Sequence, residues 1–121
     1  RNITFVDCDF ADRVNTRTVR VAGTSASELG LFAMTGCTNR DQLLINPTLT
    51  NATMHVNRHT AMKQLYLAPI LRSNSSLRIS NGTFTGDVSG TPLRMIATVE
   101  EGGTIEVHHC VASKAFLDLA G

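Results

Sequence analysis

Asp7, Asp9 and Asp12 stand at alternate or near-alternate positions close to the start of the chain. On extended backbone, carboxylates two residues apart share a face, so Asp7 and Asp9 flank Cys8 and can act together. Two carboxyl groups are what glycosidic cleavage requires, about 5 Å apart for retention and wider for inversion. The same oxygens suit calcium, and aspartate is equally an ordinary turn residue. His55 and His59 lie four apart, as a helical metal pair would, but the Met54/Val56 alternation around His55 is that of a strand. His108-His109 can supply a base or a ligand. Neighbours on extended backbone point opposite ways, which keeps these two out of one site. Cys8, Cys37 and Cys110 form no CxxC pair and stand at no zinc spacing from a histidine, so they read as small buried hydrophobes. Asn2, Asn51, Asn74 and Asn81 open glycosylation sequons of the kind that arise by chance in a chain rich in Asn, Ser and Thr. No phosphate-cradling glycine loop and no nucleophile elbow is present, and no metal or cofactor is expected.

The elements that position these residues follow from periodicity. The chain repeats an apolar–polar–apolar triplet followed by a polar turn, which is the period of a strand. The expected strands are Ile3–Phe5, Val19–Val21, Leu31–Ala33, Leu43–Ile45, Met54–Val56, Leu65–Leu67, Leu77–Ile79, Leu93–Met95, Ile105–Val107 and Leu117–Leu119. Ser25 to Leu31 is the one helix candidate, and turns are expected at Asn46-Pro47, Ser80-Asn81-Gly82 and Gly102-Gly103. With 121 residues, 42% hydrophobic and 17% charged, the chain suffices for one modest core. A net charge of +1, 5% aromatics and no Trp argue against a nucleic-acid partner. The longest apolar stretch, Leu65 to Leu71, contains a proline and is too short for membrane insertion. A start at Arg1 and a stop at Gly121 suggest that residues 1–121 are a single domain cut from a longer chain.

Four segments resemble one another, beginning at Ile3, Leu43, Leu77 and Ile105, with starts 40, 34 and 28 residues apart. A second set follows them at Val19/Val21, Met54/Val56, Leu93/Met95 and Leu117/Leu119, and a third at Leu31/Ala33 and Leu65/Leu67. Three short strands per turn predict an all-β parallel β-helix of three to four rungs, each strand about 4.8 Å from its equivalent. An antiparallel sandwich or jelly roll is the other architecture such short strands permit. In the helical register Arg20, His55 and Arg94, then Asp118, face outward on successive rungs, as do Phe32 and Tyr66 in the third set. Cys8 and Cys110 fall three rungs apart, too far to bridge, and Cys37 falls in another column.

The segments Ile3-Thr-Phe5-Val-Asp7-Cys8-Asp9-Phe10, Leu77-Arg-Ile79-Ser-Asn81-Gly-Thr-Phe84 and Ile105-Glu-Val107-His-His109-Cys110 resemble rungs of the right-handed parallel β-helix (pectate-lyase-like) superfamily. With irregular rungs and occasional Cys, they look most like bacteriophage tailspike and depolymerase proteins. The polygalacturonase Asn-Thr-Asp and Asp-Asp elements and the pectate lyase Arg-x-Pro-x-x-Arg element are absent. The resemblance implies host attachment: a homotrimer in the virion tail, folded in the host cytoplasm, that binds bacterial surface polysaccharide. Alternatives are a glycan depolymerase, as a polysaccharide lyase or glycoside hydrolase with Asp7 and Asp9 as candidate groups, and a purely structural β-helical segment. Glycan contacts are then expected from Arg20, His55 and Arg94, and subunit contacts from Phe32, Leu44 and Tyr66.

Overall fold

A computed structural model describes residues 2–10, 18–23, 31–40, 42–85 and 90–120, and among these every regular element is a strand. The described residues make five rungs, each crossing three parallel sheets. The first sheet stacks β1 (Asn2–Val6), β4 (Leu31–Thr35), β7 (Thr53–Asn57), β11 (Ser76–Ser80) and β14 (Thr104–His108). The second stacks the two-residue strands β2 (Asp9–Phe10), β5 (Thr38–Asn39), β8 (Thr60–Ala61), β12 (Thr83–Phe84) and β15 (Val111–Ala112). The third contains β3 (Thr18–Gly23), β6 (Gln42–Thr50), β9 (Leu65–Leu67), β10 (Ile70–Arg72), β13 (Leu93–Val99) and β16 (Ala115–Ala120). On the third rung Ala68-Pro69 separates β9 from β10. The arrangement is compatible with a parallel β-helix. Among the described residues no helix is long and apolar enough to cross a membrane.

All ten expected strands lie inside observed ones, but they sort differently. They alternate strictly between the first and third sheets, so the described residues make five rungs in place of three to four. First-sheet strands begin at residues 2, 31, 53, 76 and 104, making rungs of 29, 22, 23 and 28 residues. Leu43 therefore stacks on Val19 and Leu65 in the third sheet, not beside Ile3. Asn46-Pro47 lies within β6 and makes no corner. Of the helix candidate, residues 25–30 lie outside the described residues, and Leu31 opens β4.

The core is one apolar cluster fed by all three sheets. Phe32, Met34, Met54, Val56, Leu77 and Ile79 enter from the first, Ala61 and Phe84 from the second, Leu43, Ile45, Leu65, Leu67 and Met95 from the third. Full burial of such side chains contributes about 1.5–3 kcal/mol each.

Every turn from the first sheet to the second takes two residues. The first of them is Asp7, Gly36, Arg58, Asn81 or His109, with φ between 52° and 66°. Gly carries no steric cost there, and Asp, Asn and His tolerate it better than most residues. The left-handed residue breaks the extended backbone so that the following carbonyl bonds the next rung. Thr38, Thr60, Thr83 and Val111 donate to the carbonyls of Cys8, Cys37, His59 and Gly82 at 2.8–2.9 Å. One column therefore runs Cys8, Cys37, His59, Gly82, Cys110. It places Cys37 next to Cys8, correcting the expectation of separate columns, and puts Cys110 four rungs from Cys8. All three thiols are free.

Candidate functional site

The outer face of the third sheet brings together residues that sequence spacing had assigned to two different sites. In register, Arg20 lies beside Leu44, Leu44 beside Tyr66, Tyr66 beside Arg94, and Arg94 beside Phe116. The Arg94 guanidinium sits 4.8 Å from the centre of the Tyr66 ring and 5.8 Å from that of Phe116. Each such contact is electrostatic attraction between a cation and a ring face, about 0.5–1 kcal/mol at an exposed site. Phe116 remains 47% exposed, while Leu44, Tyr66 and Arg94 are half-buried. The column thus offers aromatic surface joined to a guanidinium whose planar N–H donors match a carboxylate. Asp118 pairs with Ile96, two residues along, not with Arg94.

The expected basic line Arg20, His55, Arg94 does not form, because His55 belongs to β7 in the first sheet. There it lies in register between Ala33 and Arg78, with Glu106 beyond. Thr53, Ser76 and Thr104 join His55, Arg78 and Glu106 around a groove of about 360 Å³. Within it Ser76 and Thr53 hydroxyls meet at 3.3 Å and Arg78 Nε lies 3.9 Å from Glu106; His55 Nε2 also lies 3.3 Å from Ser80 Oγ, which does not line the groove. This mixed-charge groove is separate from the Arg94 column. Phe116 and Arg78 are not marked by the sequence pattern, because their partners depend on rung lengths that only the register reveals.

Phe32 is 1% exposed and packs on Phe5 at 5.9 Å between ring centres, so it is core and cannot serve a subunit contact. The run Leu31-Phe32-Ala33-Met34 lacks alternation, and the larger Phe32 and Met34 take the inward positions. Leu44 and Tyr66 do share the outer column. Asp7 occupies the left-handed corner, and both Asp9 oxygens accept from Arg40 Nε, at 2.9 and 3.1 Å. Asp12 lies outside the described residues. His108 and His109 are not held apart: at φ 52° His109 leaves the extended backbone, and the two rings stack 6.4 Å apart. His108 Nε2 lies 3.3 Å from Glu106. Among the described residues no group of three or more His, Cys, Asp or Glu is gathered as around a metal ion.

Comparison of the chain with protein-family models, with curated proteins and with solved structures found no match.

Proposed function

We propose that the chain binds acidic bacterial surface polysaccharide along the Tyr66–Arg94–Phe116 column. In this reading it is the host-attachment part of a right-handed parallel β-helical, tailspike-like virion protein that works as a homotrimer. The observation that carries it is the stacking of Arg94 over aromatic rings on the rungs either side. Aromatic faces suit the C–H surface of a sugar ring, and the guanidinium engages a uronate carboxylate bidentately. Strand spacing of about 4.8 Å repeats the contact at close to the length of a sugar unit. One exposed contact is worth about 0.5–1 kcal/mol, so useful affinity comes from several chains on one polymer. The Asp9 carboxylate that hydrolysis would draw on is held through both oxygens by Arg40, which favours binding over hydrolysis.

Arg94→Ala should weaken binding of an acidic capsular polysaccharide about two- to fivefold per site at low salt. Raising the salt concentration should erase that difference. Equal affinities of wild type, Arg94→Ala and Tyr66→Ala on a glycan array would sink the proposal. A second reading has this face as a subunit contact, favoured by the adjacency of Leu44 and Tyr66 in one column. It requires Tyr66→Asp to lower the mass measured by light scattering, whereas a glycan-binding face leaves the mass unchanged.

A further inference from the structure

We propose that Cys8 and Cys37 are a cross-linking pair, closing to a reversible disulfide that ties the first rung to the second. The pairing is in register on both sides of them, Val6 with Thr35 and Asp9 with Thr38. Two hydrogen bonds hold that register through the corner, Asp7 N–H to the Thr35 carbonyl and Thr38 N–H to the Cys8 carbonyl, each 2.9 Å. The ordinary strand spacing of about 4.8 Å then puts the two Cα atoms within the roughly 4.4–6.8 Å that a disulfide spans. Both sulfurs also lie against the same stretch of backbone. Cys8 Sγ is 3.5 Å from the Val6 carbonyl, and Cys37 Sγ is 3.5 Å from the Phe5 carbonyl. Cys110 has no such neighbour, because the residue stacked on it is Gly82, joined by the Val111 N–H to Gly82 carbonyl bond of 2.9 Å.

The two thiols differ in access, which sets the order of events. Cys37 is buried and Cys8 only half so. Burial, with the Cys8 thiol alongside, raises the Cys37 thiol above its ordinary pKa. With a small disulfide such as oxidised glutathione as oxidant, the Cys8 thiolate attacks one of its sulfurs and expels the first glutathione thiolate. The Cys37 thiolate then attacks the Cys8 sulfur and expels the second. The oxidant takes up two electrons, and the two protein thiol protons pass to the leaving thiolates. Parallel, stacked side chains are not the ideal geometry for the bond, and a strained disulfide is readily reduced, so the link should be reversible.

The test is mass spectrometry of the folded chain after incubation with oxidised glutathione. The expected product is lighter by two hydrogens, with Cys8 and Cys37 in one linked peptide and Cys110 still open to alkylation. Amide exchange of β1 should slow in that product, and dithiothreitol should restore both mass and exchange. The Cys110→Ser variant should behave as wild type. A stable glutathione adduct on Cys8 without ring closure, or a link that includes Cys110, would overturn the proposal.

Discussion

His59 is the polar side chain placed deepest in the corner column, 1% exposed and stacked on Phe84 with 6.3 Å between ring centres. Asn39 donates from Nδ2 to the Gln64 carbonyl at 3.0 Å, which turns its Oδ1 toward His59 Nε2 at 2.6 Å. Nε2 is therefore the protonated nitrogen, and Nδ1 is buried with no partner. A second proton on Nδ1 would be a desolvated charge, so burial lowers the pKa from 6.5 to about 4. The unfolded chain takes up that proton first. His59 thus leaves stability intact above about pH 6.5 and costs progressively more as pH falls to about 4, up to ~3 kcal/mol. Urea titrations at stepped pH should show this loss for wild type. His59→Leu should be weaker at neutral pH, because the hydrogen bond from His59 Nε2 to the Asn39 oxygen is lost, but the window between pH 6.5 and 4 should flatten. An unchanged slope in His59→Leu would assign the acid sensitivity to other groups.

At the scale of the element, the first-to-second-sheet corner is the most regular feature, and its cost is uneven along the stack. Gly36, at φ 66°, meets no Cβ penalty, whereas Arg58 adopts φ 53° with a long side chain. A Cβ on residue 36 would also run into the Asp7 carboxylate oxygen. Gly36→Ala should therefore destabilise by about 1–2 kcal/mol, and Arg58→Asn should gain a few tenths up to about 1 kcal/mol. Thermal unfolding of the two variants checks both signs. The long strands were readable because Leu43-Leu-Ile45 or Leu77-Arg-Ile79 show period two directly. Thr38–Asn39 and its four equivalents are two residues long, too short for any period to register. Stacking partners were not readable either, since first- and third-sheet strands carry the same apolar alternation and rungs vary between 22 and 29 residues. That is why the outward facing of Tyr66 and Arg94 is legible in the sequence while their adjacency is not.

Taken whole, the molecule is a stack in which each rung touches only its neighbours, so stability should grade along its axis. The third-sheet inward column Ile45, Leu67, Met95 is buried, but its last-rung member, Leu117, is 53% exposed. Hydrogen exchange should therefore be slowest in β7, β9 and β11 and fastest in β1, β14 and β16, with the end rungs opening independently of the middle. Uniform protection across the five rungs would mean that the chain unfolds only as a unit. The two-residue corner has a further bearing on how such a chain can change. Among the described residues, the second-to-third-sheet connection is three residues, 62–64, on the third rung and two, 113–114, on the fifth, and the return to the first sheet runs from two residues, 51–52, to four, 100–103, whereas the first-to-second-sheet corner keeps one length through all five rungs. Insertions are absorbed at the other two corners, but a single added residue here would reverse which side chains face inward for the strand that follows. The stack thus divides its circumference between one edge that keeps count and two that are open to new loops, and recognition surfaces can diversify there without resetting the core.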